Sequence, residues 1–191
     1  MVLMRKVIVL VFICLAVADM AAGQSGKIVP KSPAIRHDWM MGIVNIPEIG
    51  YGMEISTPST ATSYNFISLT NVTGYQFTRN VKVGVGYGLQ MHNSKMAFPV
   101  FGDLRASLNG QGVVPFLAAS GGVEAMPPDL NNDSRIFISG MLGLRIVTSQ
   151  KICTDISTGL YIKGGGVEAK ATFFVVKLGI EIKGKRNDAL K

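Results

Sequence analysis

The sequence predicts an all-β fold, an eight-stranded antiparallel up-and-down transmembrane β-barrel. Three observations predict it. From about residue 39 the chain runs in segments of about ten residues whose side chains alternate between apolar and polar. Short clusters of turn-forming residues separate the segments, at lengths that suit hairpins. One face of each segment is aliphatic or aromatic, while the other mixes glycine with charges of both signs.

The elements follow in order. Arg5 and Lys6 precede the apolar stretch VIVLVFICLAVA, and Ala21, Ala22 and Gly23 then offer small residues before Gln24. This is the pattern of a secretory signal, so residues 1–23 are expected to be cleaved and the chain exported. Cys14 lies inside the apolar stretch without small residues before it, which argues against a lipid-anchored N-terminus. Residues 24–38 are polar and form a segment ahead of the barrel.

The first two strands, roughly 39–56 and 63–79, are the least regular. Asn45, Pro47, Asn71 and Thr73 fall on their nominally apolar face. Pro47 cannot donate to a ladder, so a bulge or irregular start is expected there. Asn71-Val72-Thr73 matches a glycosylation acceptor, but its position in mid-strand marks the match as chance. The third strand contains VKVGVGYGLQ, residues 81–90. Its glycines follow G-x-G-x-G rather than G-x-G-x-x-G, and no helical pattern comes after it, so it is a strand and not a phosphate-binding loop.

In the fourth strand Phe98, Val100, Leu104, Ala106 and Leu108 oppose Pro99, Asp103, Arg105 and Ser107. The fifth covers roughly 112–125. In the sixth Ile136, Ile138, Leu142, Leu144 and Ile146 oppose Arg135, Ser139, Gly143 and Arg145. The seventh, 152–163, alternates without a break, with Ile152, Thr154, Ile156, Thr158, Leu160 and Ile162 against Cys153, Asp155, Ser157, Gly159, Tyr161 and Lys163. The eighth, roughly 167–183, sets Phe174, Val176, Leu178, Ile180 and Ile182 against Lys177, Gly179 and Glu181.

Which face looks outward is decided by the polar side. A soluble barrel would present Lys, Glu and Thr to water. Here that side carries Gly50, Gly52, Gly74, Gly84, Gly86, Gly88, Gly122, Gly143, Gly159 and Gly179, which suits a crowded lumen. It also carries six acids, Glu48, Glu54, Asp103, Glu124, Asp155 and Glu181, and six bases, Lys82, Arg105, Arg135, Arg145, Lys163 and Lys177. Buried charge is tolerated when paired, so these twelve are the candidate lumen ion pairs. The aliphatic and aromatic side is then the lipid-facing band.

Composition narrows the function. Of 191 residues, 48% are hydrophobic, 16% are charged and 22 are glycine, which suits neither a disordered chain nor an ordinary soluble enzyme. The formal charge of +7 falls to about +6 without the signal and is spread thinly along the strands, so no nucleic-acid partner is expected. Cys153 is the sole cysteine after residue 23, which leaves no intramolecular disulfide, and with only His37 and His92 present no metal or other cofactor is expected. His92-Asn93-Ser94 places a base beside a hydroxyl, but in a hairpin loop with no assignable carboxylate, so no catalytic residue is expected and the protein reads as a non-enzyme. The external loops 57–62, 91–95, 126–133 and 163–166 are short and lack aromatic anchors.

Four stretches carry a family likeness: GYQFT at 74–78 leading into VKVGVGYGLQ, FPVFGDLRASL at 98–108, VPFLAASGGVEA at 114–125 and VVKLGIEIK at 175–183. With them the chain resembles the outer-membrane β-barrel domain family, the small porin-like eight-stranded barrels of Gram-negative envelopes. It departs from that pattern at its end, where GKRNDALK follows the last strand in place of a terminal aromatic. The resemblance implies a barrel over residues 39–183, residues 24–38 in the periplasm and a basic tail at 184–191. It also implies outer-membrane lipid as surroundings, the barrel-insertion machinery as a biogenesis partner, and a monomer. The function expected is structural or envelope-maintaining. A small-solute pore is the first alternative, and a soluble secreted barrel holding a lipophilic ligand is the second.

Overall fold

Each alternating segment is a strand. The computed structural model describes residues 41–55, 65–92, 95–110, 112–126, 134–164 and 171–184. The chain divides into two units, residues 1–33 and 34–191, and every described residue belongs to the second. The expected signal, the segment 24–38, the tail beyond Gly184 and most of the external loops lie outside the described residues.

The strands are β1 (Gly42–Glu54), β2 (Asn65–Gln76), β3 (Val81–His92), β4 (Lys95–Ser107), β5 (Val113–Ala125), β6 (Arg135–Val147), β7 (Ile152–Gly164) and β8 (Ala171–Lys183). Each pairs antiparallel with its neighbours in sequence, and β8 returns to pair with β1, closing the barrel. At about 3.3 Å per residue and a tilt of about 40°, strands of this length climb about 33 Å, enough to cross a hydrocarbon core of about 30 Å.

The hairpin turns at the end where β1 starts and β8 finishes are built from their own side chains. In the β2–β3 turn the Thr78 hydroxyl accepts from the amides of Asn80 and Val81, at 3.3 and 3.1 Å. Ser149 serves the β6–β7 turn alike, accepting from Lys151 and Ile152 at 3.3 and 3.1 Å. Gly112, before β5, has φ of 86°, which a side chain would strain.

Alternation decides burial along every strand. Among strand residues whose side chains are described, no charged one is exposed. Large apolar side chains are exposed on all eight strands, from Ile43 (63%) on β1 through Leu142 (63%) on β6 to Ile182 on β8. A soluble surface rarely shows an apolar patch beyond a few hundred Å², whereas this one encircles the barrel. Leu142→Arg is accordingly expected to cost about 2–4 kcal/mol for the barrel folded in lipid vesicles, measured by denaturant unfolding. A change near zero would mean that this face is wet.

Three details differ from the sequence expectations. Pro47 makes no bulge: the β1–β8 ladder lapses between Asn45 and Glu48 but resumes in the same register, and β1–β2 runs through without a slip. The missing N–H is thus absorbed by leaving bonds unmade, and Pro99 does the same in the β3–β4 ladder. His92 closes β3, paired with Phe66 and Lys95, rather than lying in a loop. The phenylalanines are not all outside, for Phe66, Phe101, Phe116, Phe137 and Phe173 point into the lumen and are buried beside the expected inward Tyr161.

Candidate functional site

The lumen is the site, and it has two tiers. The lower tier lies toward the end holding Gly42 and Lys183, where inward positions on β1, β3, β4, β6, β7 and β8 carry charge. Arg145 on β6 is fully buried and grips Asp155 with two parallel bonds, Nε to Oδ1 at 2.9 Å and Nη2 to Oδ2 at 2.8 Å. The same guanidinium reaches Glu181 at 2.7 Å and donates to the Ser107 hydroxyl at 3.1 Å. Glu181 also accepts from Lys82 through both carboxylate oxygens.

Arg105 forms the second node. It donates to Asp103 at 2.8 Å and to Glu48 at 2.7 Å, and it meets Asp155 at 3.5 Å. Glu48 further accepts from Lys177 at 3.4 Å and from the Thr70 hydroxyl at 3.5 Å. Four acids and four bases therefore form one connected, charge-balanced network that joins β1, β3, β4, β6, β7 and β8. Both guanidinium groups also lie over the Phe116 ring, Arg145 at 5.2 Å and Arg105 at 6.0 Å from its centroid.

The upper tier is mostly aromatic. Phe66, Phe101, Phe137, Tyr161 and Phe173 pack with Met141 and Val175 into one cluster, which runs down the β1–β2 wall past Glu48 to Ile46 and Val72. Phe137 stacks on Tyr161 at 4.7 Å between centroids, Phe66 meets Phe173 edge-on at 5.1 Å, and Phe101 meets Phe137 at 5.8 Å. Near the outer end Glu124 accepts from the Tyr161 hydroxyl and pairs with Lys163. His92 caps the cluster, its ring 5.2 Å from Phe66 and 6.4 Å from Phe173. The gap bordered by Phe66, Gln90, Phe101, Phe137 and Tyr161 measures about 10 Å³, at most one water.

Of the twelve candidate residues, the structure brings Glu48, Lys82, Asp103, Arg105, Arg145, Asp155, Lys177 and Glu181 into the lower network, and Glu124 and Lys163 into the upper pair. Arg135 is half-buried opposite Glu124 across β5–β6, and Glu54 is half-buried at the outer end of β1. His92 has no hydroxyl partner among the described residues, and Ser94 lies outside them.

Sequence reasoning placed Tyr161 on the inward face of β7 but missed the inward phenylalanines. The signal was present in their register. Gly52 faces Phe66, Gly86 faces Phe101 and Gly143 faces Phe116 as direct cross-strand partners. A Cβ on those glycines would stand 2.2, 2.2 and 2.4 Å from the facing ring. These three glycines are therefore the floor on which the facing rings lie.

No protein-family model and no curated protein matches the sequence. Among solved structures the chain is similar to Neisserial surface protein A (NspA), with 13% identity, 76% of this chain and 99% of that one covered, and a TM-score of 0.62. It is also similar to the N-terminal β-barrel domain of Pseudomonas aeruginosa OprF, with 14% identity, 75% of this chain and 100% of that one covered, and a TM-score of 0.50. At such identities the likeness is one of fold, and that fold is a closed eight-stranded antiparallel β-barrel.

Proposed function

We propose that this protein is an integral outer-membrane barrel with a sealed lumen and a structural, envelope-maintaining role, neither a transport pore nor an enzyme. The observation that carries this reading is the double closure of the lumen. An ion wishing to cross would have to part a network in which Arg105, Arg145, Asp155 and Glu181 are almost wholly buried, and then an aromatic cluster above it. Removing one partner from such a network leaves an uncompensated buried charge, so the network resists transient opening. The apolar outer surface supports residence in lipid, and the secretory-signal pattern read in residues 1–23 favours placement in the outer membrane.

The test is conductance of the purified, folded barrel in a planar bilayer. No current steps above the bare bilayer are expected. Discrete steps whose ion preference changes in Lys177→Gln would replace this reading with that of a small-solute pore.

A further inference from the structure

The lipid-facing surface has one polar break that the sealed-lumen role leaves without a use. On β1–β3, Asn45, Asn71, Thr73 and Tyr87 all point outward. Asn45 and Thr73 are direct cross-strand partners, and so are Asn71 and Tyr87. The Asn45 amide donates to the Thr73 hydroxyl at 3.0 Å. The Asn71 amide donates to the Tyr87 hydroxyl at 3.3 Å and to Thr73 at 3.5 Å. Each amide thus uses its donor end, and neither carbonyl accepts a bond among the described residues. Tyr87, 56% exposed, accepts from Asn71 and keeps its own O–H to give.

The depth of this cluster is the difficulty. Asn71 stands five residues in from Gln76 and Tyr87 six in from Val81, while Asn45 and Thr73, three in from Gly42 and Gln76, lie shallower. At about 2.5 Å of height per tilted residue Asn71, the deeper of the two on β2, is about 12 Å from the rim, inside an apolar band about 25 Å tall. Acyl chains can neither accept the Tyr87 proton nor donate to the Asn71 carbonyl, and lipid headgroups lie at the edges of the band. Unmet polar groups at that depth are costly and point to a protein partner.

The cluster also states what partner would fit. A carboxamide carries both a donor and an acceptor, so two copies related by a twofold axis can satisfy one another reciprocally. Beside the cluster, Pro47, Ile49, Leu69, Leu89, Leu178 and Ile180 border a shallow apolar groove that a facing aliphatic side chain can enter. We infer that the outward face of β1–β3 around Asn45, Asn71, Thr73 and Tyr87 is a docking surface for a second copy of this chain, making a twofold dimer in the membrane. The sequence by itself suggested only a monomer.

The full chain folded in fluid phospholipid vesicles tests this. Cys153 is buried in the lumen, and with Cys14→Ser as the background no native thiol is offered on the outside. Leu69→Cys, outward beside the cluster, is expected to give a disulfide-linked dimer on mild oxidation, while Leu142→Cys, across the barrel on β6, does not at the same protein density. Energy transfer between labelled copies is expected to show an association constant about tenfold lower for N45L/N71L than for the unaltered chain, given that about 1.4 kcal/mol is a factor of ten. Equal cross-linking from both faces, or undiminished association of N45L/N71L, would overturn the inference. Should N45L/N71L fail to fold, the comparison of the two cysteine variants decides alone.

Discussion

Arg145→Ala is expected to lower the stability of the folded barrel by about 3–5 kcal/mol, the cost of stranding buried charge. Arg145 supplies two bonds to Asp155, one to Ser107 and a contact with Glu181, and no water reaches it. With alanine there, Glu181 retains Lys82 and Asp155 retains only the longer contact from Arg105 at 3.5 Å. Asp155 therefore bears most of the loss. Reversible urea unfolding from lipid vesicles measures the change. Because the penalty is stranded charge and not lost packing, Arg145→Leu/Asp155→Leu is expected to lose less than Arg145→Ala alone, a coupling that a double-mutant cycle resolves. Additive losses would mean that the two side chains do not act as a pair.

The second large effect falls on a glycine. In Gly159→Ala the new Cβ would lie 2.0 Å from the Gly140 carbonyl oxygen and 2.8 Å from the Met141 Cα, both main-chain atoms of the adjoining strand. Unlike a ring, a paired backbone cannot swing aside, so β6 and β7 would have to separate locally and give up ladder bonds. A loss of about 3 kcal/mol or more, or failure to fold, is expected, in the range of severe overpacking. Gly140→Ala is the matched control: it points outward with nothing within 4 Å of its Cβ, and is expected to stay within about 0.5 kcal/mol of the unaltered chain. The pair of variants, compared by unfolding midpoint in the same vesicles, separates lumen crowding from any general dislike of alanine in these strands. Similar behaviour of the two would contradict the crowded-lumen account.

The strands and the orientation of their faces were legible because period-two alternation is itself the physical cause of burial on one side. The twelve charged candidates were legible for the same reason: parity along a strand assigns each to a face without knowledge of its neighbours. What parity cannot supply is the partner across the lumen. That Arg145 meets Glu181 and Arg105 meets Glu48 depends on closure of β8 onto β1, a contact no single strand records. Alternation placed Tyr161 inward, but the inward phenylalanines were missed because Phe suits lipid and lumen equally by chemistry. Parity does place Phe101 with Asp103, and Phe137 with Ser139, on the inward side. Pro47 invited a bulge, yet at a ladder already held by β2 on its other side, leaving a bond unmade costs less than shifting a whole register that would expose Glu48 to lipid.

The account stands on the claim that the apolar surface faces a membrane and the charged face is the interior. Heat-modifiability in the isolated outer-membrane fraction tests that claim most directly, by running the protein on a detergent gel with and without boiling. The expected result is a protein in the membrane pellet whose unboiled band migrates apart from the boiled one, because the hydrogen-bonded barrel survives detergent until heated. A protein in the soluble fraction with a single unshifted band would contradict the account.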